Sequence, residues 1–220
     1  MGSTLANVHT ERNNKGADLV AMLVNSGSPL NGGLGHSPLS VAGNPNAAFS
    51  VSDIDAVYKY HTLTHEVGHQ LAAGHSRTQT NPGPTSFVPY AAGKHFLGTN
   101  NTWYHTIMAY NVDNNYATNR RIYIQAPLFS TPLKAWQGTV AGASNYEDNA
   151  RIVKEMMGIV AGYRTPSSGL PAAPTNLTAT ALSSSQIRLN WRDNSNNETG
   201  FYISPFKVAS RSCKIRRYFT

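Results

Sequence analysis

The chain has 220 residues, 40% hydrophobic and 13% charged, with a formal net charge of +7 at neutral pH. That length holds one medium domain and part of another, and it contains no apolar run of the roughly 18 residues that span a bilayer. Five positive charges, Lys207, Arg211, Lys214, Arg216 and Arg217, fall in the last fourteen residues and leave +2 for everything before them, so no basic nucleic-acid groove is expected.

In chain order, residues 17–24 form an apolar run that predicts a buried strand, and a loop rich in Gly, Pro, Asn and Ser follows as far as Gly43. Ser52, with Asp55 three residues on, has the spacing of a capping box and predicts a helix that runs to about Leu71. Within it lies the run His65-Glu66-Val67-Gly68-His69-Gln70-Leu71-Ala72-Ala73-Gly74-His75. Residues four apart share a helix face, so His65 and His69 can present ring nitrogens to one ion while Glu66 projects beside them toward a bound water. His75 is too far along for a further helical turn to return its ring to that ion, so a bend is expected, and Ala73-Gly74 offers one. Three neutral imidazoles leave zinc its double charge and an open position, so its bound water has a pKa of about 7 and becomes a nucleophile near neutral pH.

Downstream, His105-Thr106-Ile107-Met108-Ala109-Tyr110 follows a loop of Gly, Pro, Asn and Thr. A second helix is predicted after Asp148, with Ile152, Met156, Ile159, Val160 and Tyr163 on one face. Residues 165–175 have linker composition. Beyond them, residues 177–180, 187–191 and 200–203 alternate like short strands between Asn- and Ser-rich turns. The remaining histidines carry less information. A fourth imidazole from His61, one turn before His65, would close the coordination shell that catalysis needs open, so it reads as packing or as support behind the ligands. His95 and His105 could touch substrate, but loop histidines are more often merely solvated and they read as such, and His9 and His36 give no signal. Cys213 is the only cysteine, so the region around the histidines has no disulfide.

The extended motif HExxHxxGxxH with a following Met turn resembles the metzincin zinc peptidases. Residues 16–20, 48–51, 89–91, 106–110 and 148–151 are similar to the bacterial reprolysin-like (adamalysin-related) branch, with the likeness covering about residues 5–164. Ala72 stands where that family has the Gly of the bend, and Ser76 follows the third His where reprolysins usually have Asp. The resemblance implies zinc ligands His65, His69 and His75, Glu66 as general base, Met108 in the Met turn, and Tyr110 as a donor toward the metal or the intermediate. It implies an α+β fold, an α/β/α metzincin-type catalytic domain over residues 1–164, N-terminally incomplete. A linker, residues 165–175, then leads to a partial all-β piece, residues 176–220, that looks like the first half of a fibronectin type III module with Trp191 in its core and an aberrant basic tail.

The expected function is a secreted, monomeric zinc endopeptidase acting on polypeptide substrates through one catalytic zinc ion, with any signal peptide outside this chain. A calcium requirement is not readable. The alternative is a non-catalytic extracellular adhesion or carbohydrate-associated binding module that retains an inactive protease remnant.

Overall fold

The computed structural model describes residues 3–25, 32–79, 85–115, 118, 120–165, 172–196, 201–204 and 214–217. The chain divides into two compact units, Met1–Thr165 and Pro166–Thr220. Helix and sheet are mixed in the first, as an α+β reading requires.

That unit opens with α1 (Ser3–Lys15) and β1 (Val20–Val24), followed by β2 (Gly33–Gly35) and β3 (Phe49–Asp53). β1 runs parallel to β3, with Val20 opposite Phe49, and β2 closes the sheet antiparallel to β3, with Gly33 opposite Ser52. The apolar run does form a strand, but Met22 and Leu23 are exposed, so its expected burial is not observed among the described residues. An all-apolar run signals strand without saying which face is covered. β2 lies inside what composition reads as loop, because a Gly-Leu-Gly strand has almost no pattern to detect.

The single long helix predicted from Ser52 is instead two, α2 (Ile54–Tyr60) and α3 (Thr62–Gln70). Ser52 is buried in β3; the cap is Asp53, whose carboxylate accepts from the amides of Asp55 and Ala56. Between the helices His61 adopts the left-handed conformation, φ 53° and ψ 30°, so it does not share a helix face with His65. Its Nδ1 lies 2.8 Å from Gln125 Oε1, and the Gln125 amide donates to Tyr60 O at 3.0 Å.

Next come β4 (His95–Leu97), β5 (Trp103–His105) and β6 (Ile124–Gln125), a sheet in the order β4-β5-β6, then the ribbon of β7 (Ala135–Trp136) and β8 (Thr139–Val140). The last helix, α4 (Asn149–Val160), is capped by Asp148, which accepts from Arg151 N. Ile152, Met156 and Val160 are buried at fourfold spacing, whereas Ile159 is 36% exposed and lies off that stripe. Ala72, Ala73, Ala91, Ile107, Met108, Ile152 and Met156 form one core cluster, which joins the end of α3 to α4.

In the second unit β9 (Thr175–Ala181) pairs antiparallel with β10 (Ile187–Arg192), with an irregularity between Asn190 and Arg192. β11 (Phe201–Ser204) pairs antiparallel with β12 (Lys214–Arg217), so part of the basic tail is strand. The Trp191 ring stands edge-on to Phe201 at 5.2 Å. Cys213 lies outside the described residues.

Candidate metal centre and active site

α3 presents His65 and His69 on one face, as their spacing predicts. The return of the chain to His75 uses a bend different from the expected one. After α3, Ala72 N donates to His69 O at 2.8 Å and Ala73 N donates to Gly68 O at 2.9 Å. Those paired bonds are a Schellman termination, which requires a left-handed residue just past the cap. Ala72 fills that place at φ 62°, although glycine is the usual occupant. Gly74 serves a different end: a Cβ there would stand 2.4 Å from Ala91 O, so its role is close approach.

His65, His69 and His75 each bring a ligand nitrogen within 4.8 Å of the others. His75 Nε2 lies 3.2 Å from His65 Nε2 and 2.9 Å from His69 Nε2. His65 Nδ1 is bonded to Ile107 O at 2.8 Å and His69 Nδ1 to Ala73 O at 3.1 Å. A carbonyl only accepts, so both Nδ1 atoms carry the proton and both Nε2 atoms are bare. A single proton on His75 Nε2 could serve one of the two, so mutual hydrogen bonding cannot satisfy all three. A cation can. Tetrahedral zinc with bonds of about 2.0–2.1 Å would hold such nitrogens roughly 3.3–3.4 Å apart, close to the observed spacing. Backbone carbonyls that fix the ligand tautomer are the usual outer support of a metal-binding histidine.

The electrostatics agree. Burial lowers the pKa of His65, and burial together with His65 and His75 pushes His69 down to about 2, so the rings stay neutral and available as ligands. Burial raises the Glu66 carboxyl to about 7, against a lowering by the Gly35 amide. β2 lies flat on Glu66: a Cβ at Gly33 would come within 2.7 Å of Glu66 Cγ, and one at Gly35 within 2.4 Å of Glu66 O. Met108 is fully buried beneath α3, where a Cβ on Gly68 would meet its sulfur at 2.7 Å. The Tyr110 ring sits 5.0 Å from His75 and 6.0 Å from His65, and burial followed by Glu66 raises its pKa. A cleft of about 1080 Å³ opens beside these groups, with Gly33, Glu66, His61, His105, Tyr110 and Tyr123 in its walls.

Two histidines assigned to solvent are not there. His105 is buried in β5, with Nδ1 3.1 Å from Thr106 O, and His95 is partly buried between Thr78 and Tyr110. Sequence reasoning also missed Asn149. It is fully buried, accepts from Gly74 N and donates to Gly74 O, both at 2.9 Å, and so ties α4 to the residue before His75. No local pattern could signal a partner 75 positions away.

Residues 1–120 match the family model described as Metallo-peptidase family M12. Two curated relatives, each named peptidyl-Asp metalloendopeptidase, come from Stenotrophomonas maltophilia strains R551-3 and K279a. They are 28% and 26% identical to the chain over 159 residues, which is 71% of this chain and 34% of each relative. The chain thus spans about a third of the length of those relatives. No solved structure gives a significant match.

Proposed function

The chain belongs to metallo-peptidase family M12, and on that premise we propose that it is a zinc-dependent endopeptidase that hydrolyses peptide bonds of extracellular proteins. The observation that carries this reading is the convergence of three imidazoles, two of them with Nδ1–H fixed on backbone carbonyls and bare Nε2 turned inward. In this reading His65, His69 and His75 hold one catalytic ion.

When bound, zinc supplies a Lewis acid that acidifies water and polarises a carbonyl. Glu66 takes the proton from the attacking water and returns it to the leaving amine; its contact with β2 and its burial-raised carboxyl support this role. Tyr110 donates its hydroxyl to the developing oxyanion, a role supported by its packing against His65 and His75. Among the described residues β2 is the edge strand of its sheet, so an extended peptide has a backbone edge to pair with beside Glu66, which supports a polypeptide substrate.

Cleavage beside aspartate, stated in the relatives' name, would call for a cation at the cleft. Lys59 lines it together with Asp53 and Asp55, so the local charge does not favour an acidic side chain and we do not extend that preference to this chain. Secretion and a monomeric state are proposed on the resemblance alone. We also read the second unit as a partial fibronectin type III-like module, supported by its paired short strands and by the Trp191–Phe201 contact.

Zinc analysis and digestion of casein or gelatin with and without a chelator test the assignment. The expected result is one zinc per chain, cleavage abolished by the chelator, and a Glu66→Ala variant that keeps zinc but loses nearly all hydrolysis. Full activity in the zinc-loaded variant overturns it.

A further inference from the structure

Tyr110 is 37% exposed on the cleft wall, so core packing does not fix its ring. Its backbone, however, is held on both sides by side chains. The amide donates to Gln79 Oε1 at 2.9 Å, and Gln79 is buried. The carbonyl accepts from His95 Nε2 at 2.7 Å. Because a carbonyl only accepts, Nε2 carries the proton, and in the neutral ring Nδ1 is bare. Nδ1 then accepts from Thr78 Oγ1 at 2.7 Å, and Ser76 Oγ, 2.9 Å from Thr78 Oγ1, can donate to that hydroxyl and lies 3.2 Å from the same nitrogen. The His95 ring packs on Tyr123 at 4.2 Å, and the Tyr123 hydroxyl donates to Asp113 at 2.6 Å. Ser76 follows His75 directly in the chain, so a run of hydrogen bonds leads from the residue after the third histidine to the Tyr110 carbonyl.

We propose that His95, oriented by Thr78 and assisted by Gln79, is a positioning residue that sets the Tyr110 hydroxyl against the reacting carbonyl without touching substrate. This rests on the metallopeptidase reading above. Clamping both backbone polar groups fixes where the Tyr110 Cα sits and which way its Cα–Cβ bond points, so the ring that packs on His65 and His75 starts from a set origin. The clamp matters because a displacement of about 1 Å at a reacting group can lower rate by on the order of a hundredfold.

The test uses the full chain. His95→Phe keeps a ring for Tyr123 but removes every hydrogen bond of the imidazole, and Thr78→Val removes only the nearer of the two hydroxyls at Nδ1. With zinc content unchanged, His95→Phe is expected to lower kcat by about 10- to 100-fold while KM stays within about threefold. Thr78→Val is expected to lower kcat by about three- to tenfold. In a Tyr110→Phe background neither should add more than about a further twofold, since a residue acting through Tyr110 has nothing left to position. A readout independent of turnover is calorimetric binding of a phosphinic peptide, which mimics the tetrahedral intermediate. His95→Phe and Tyr110→Phe should each weaken it, and the double variant should be no weaker than the worse single one.

If the unmodified chain binds neither zinc nor the phosphinic peptide, the metallopeptidase reading fails and the positioning role fails with it. If it binds both, the positioning role alone is overturned by either of two results. One is unchanged kcat and phosphinic affinity in both variants; the other is losses that multiply with that of Tyr110→Phe. Should His95→Phe not fold, Thr78→Val decides by the same criteria.

Discussion

At Ala72 a left-handed φ of 62° is imposed by the two hydrogen bonds that end α3, and the side chain is fully buried. Ala72→Gly relieves about 1–2 kcal/mol of strain. It gives up a buried methyl worth about 0.8 kcal/mol and adds about 0.4–1 kcal/mol of unfolded-chain entropy. The variant should therefore lie within about 1 kcal/mol of the parent in urea denaturation. Ala72→Val adds branching where φ is positive and volume where there is no room, and should cost at least about 2 kcal/mol. It should also weaken zinc, because His75 depends on the bend; a Val variant with parental stability and zinc affinity refutes that dependence. His105 permits a pH prediction. Burial pushes its pKa down to about 4, against the opposing Thr106 carbonyl and with the His95 ring, 6.4 Å away, adding to the lowering. A folded value below the unfolded value of about 6.5 means that protons bind the unfolded chain more tightly. The stabilisation is complete above the unfolded value and is lost as pH falls from there toward 4. Between pH 7 and 5 the parent should lose about 2 kcal/mol more than a His105→Phe chain. Histidines common to both chains cancel in that comparison, and equal losses would remove His105 as the cause.

Among the elements, α4 shows how the centre is held from outside. Asn149 Oδ1 takes the Gly74 amide, while the Gly74 carbonyl also has Gly93 N at 2.9 Å. In Asn149→Ala the carbonyl keeps a partner but the amide does not, so the expected loss is about 1–3 kcal/mol. Zinc affinity should fall about tenfold as His75 loosens. A competitive chelator titration measures this, and unchanged affinity would make Asn149 a fold residue only. What the sequence made legible follows the same division between local and distant causes. The spacing of His65, Glu66 and His69 is a property of one helix and was readable. So were the Asp148 start of α4 and the buried trio Ile152, Met156 and Val160. The break at His61 was not, because Gln125, which bonds both the His61 ring and the Tyr60 carbonyl, lies 64 positions away from His61. Nor was the bend: Gly74 looks like the hinge until Ala91 is seen to press on it. His95 and His105 were misjudged for that reason too, since loop composition cannot reveal that β5 buries His105 and that Thr78 and the Tyr110 carbonyl hold the His95 ring.

For the molecule as a whole, the first unit has a modest core in which three of the seven members of the main cluster are alanines. Small side chains bury little apolar area, so a metal that joins α3 to the loop beyond it should carry a sizeable share of stability. A ligand bound only by the folded state and present at about a thousand times its Kd stabilises by about 4 kcal/mol. At about 2–4 °C per kcal/mol for a unit of this size, chelation should lower Tm by about 8–16 °C. The three tryptophans allow the shift to be localised: Trp103 and Trp136 lie in the first unit and Trp191 in the second. In a Trp191→Phe chain, fluorescence reports the first unit alone, and the chelator shift should appear there in full. β9 and β10 are mostly exposed and the three histidines all lie in the first unit, so a chelator should leave the second unchanged. His75→Ala should melt like the chelated parent and respond no further to chelator. A parent whose fluorescence melt is the same with and without metal would show that the three imidazoles do not hold this unit together.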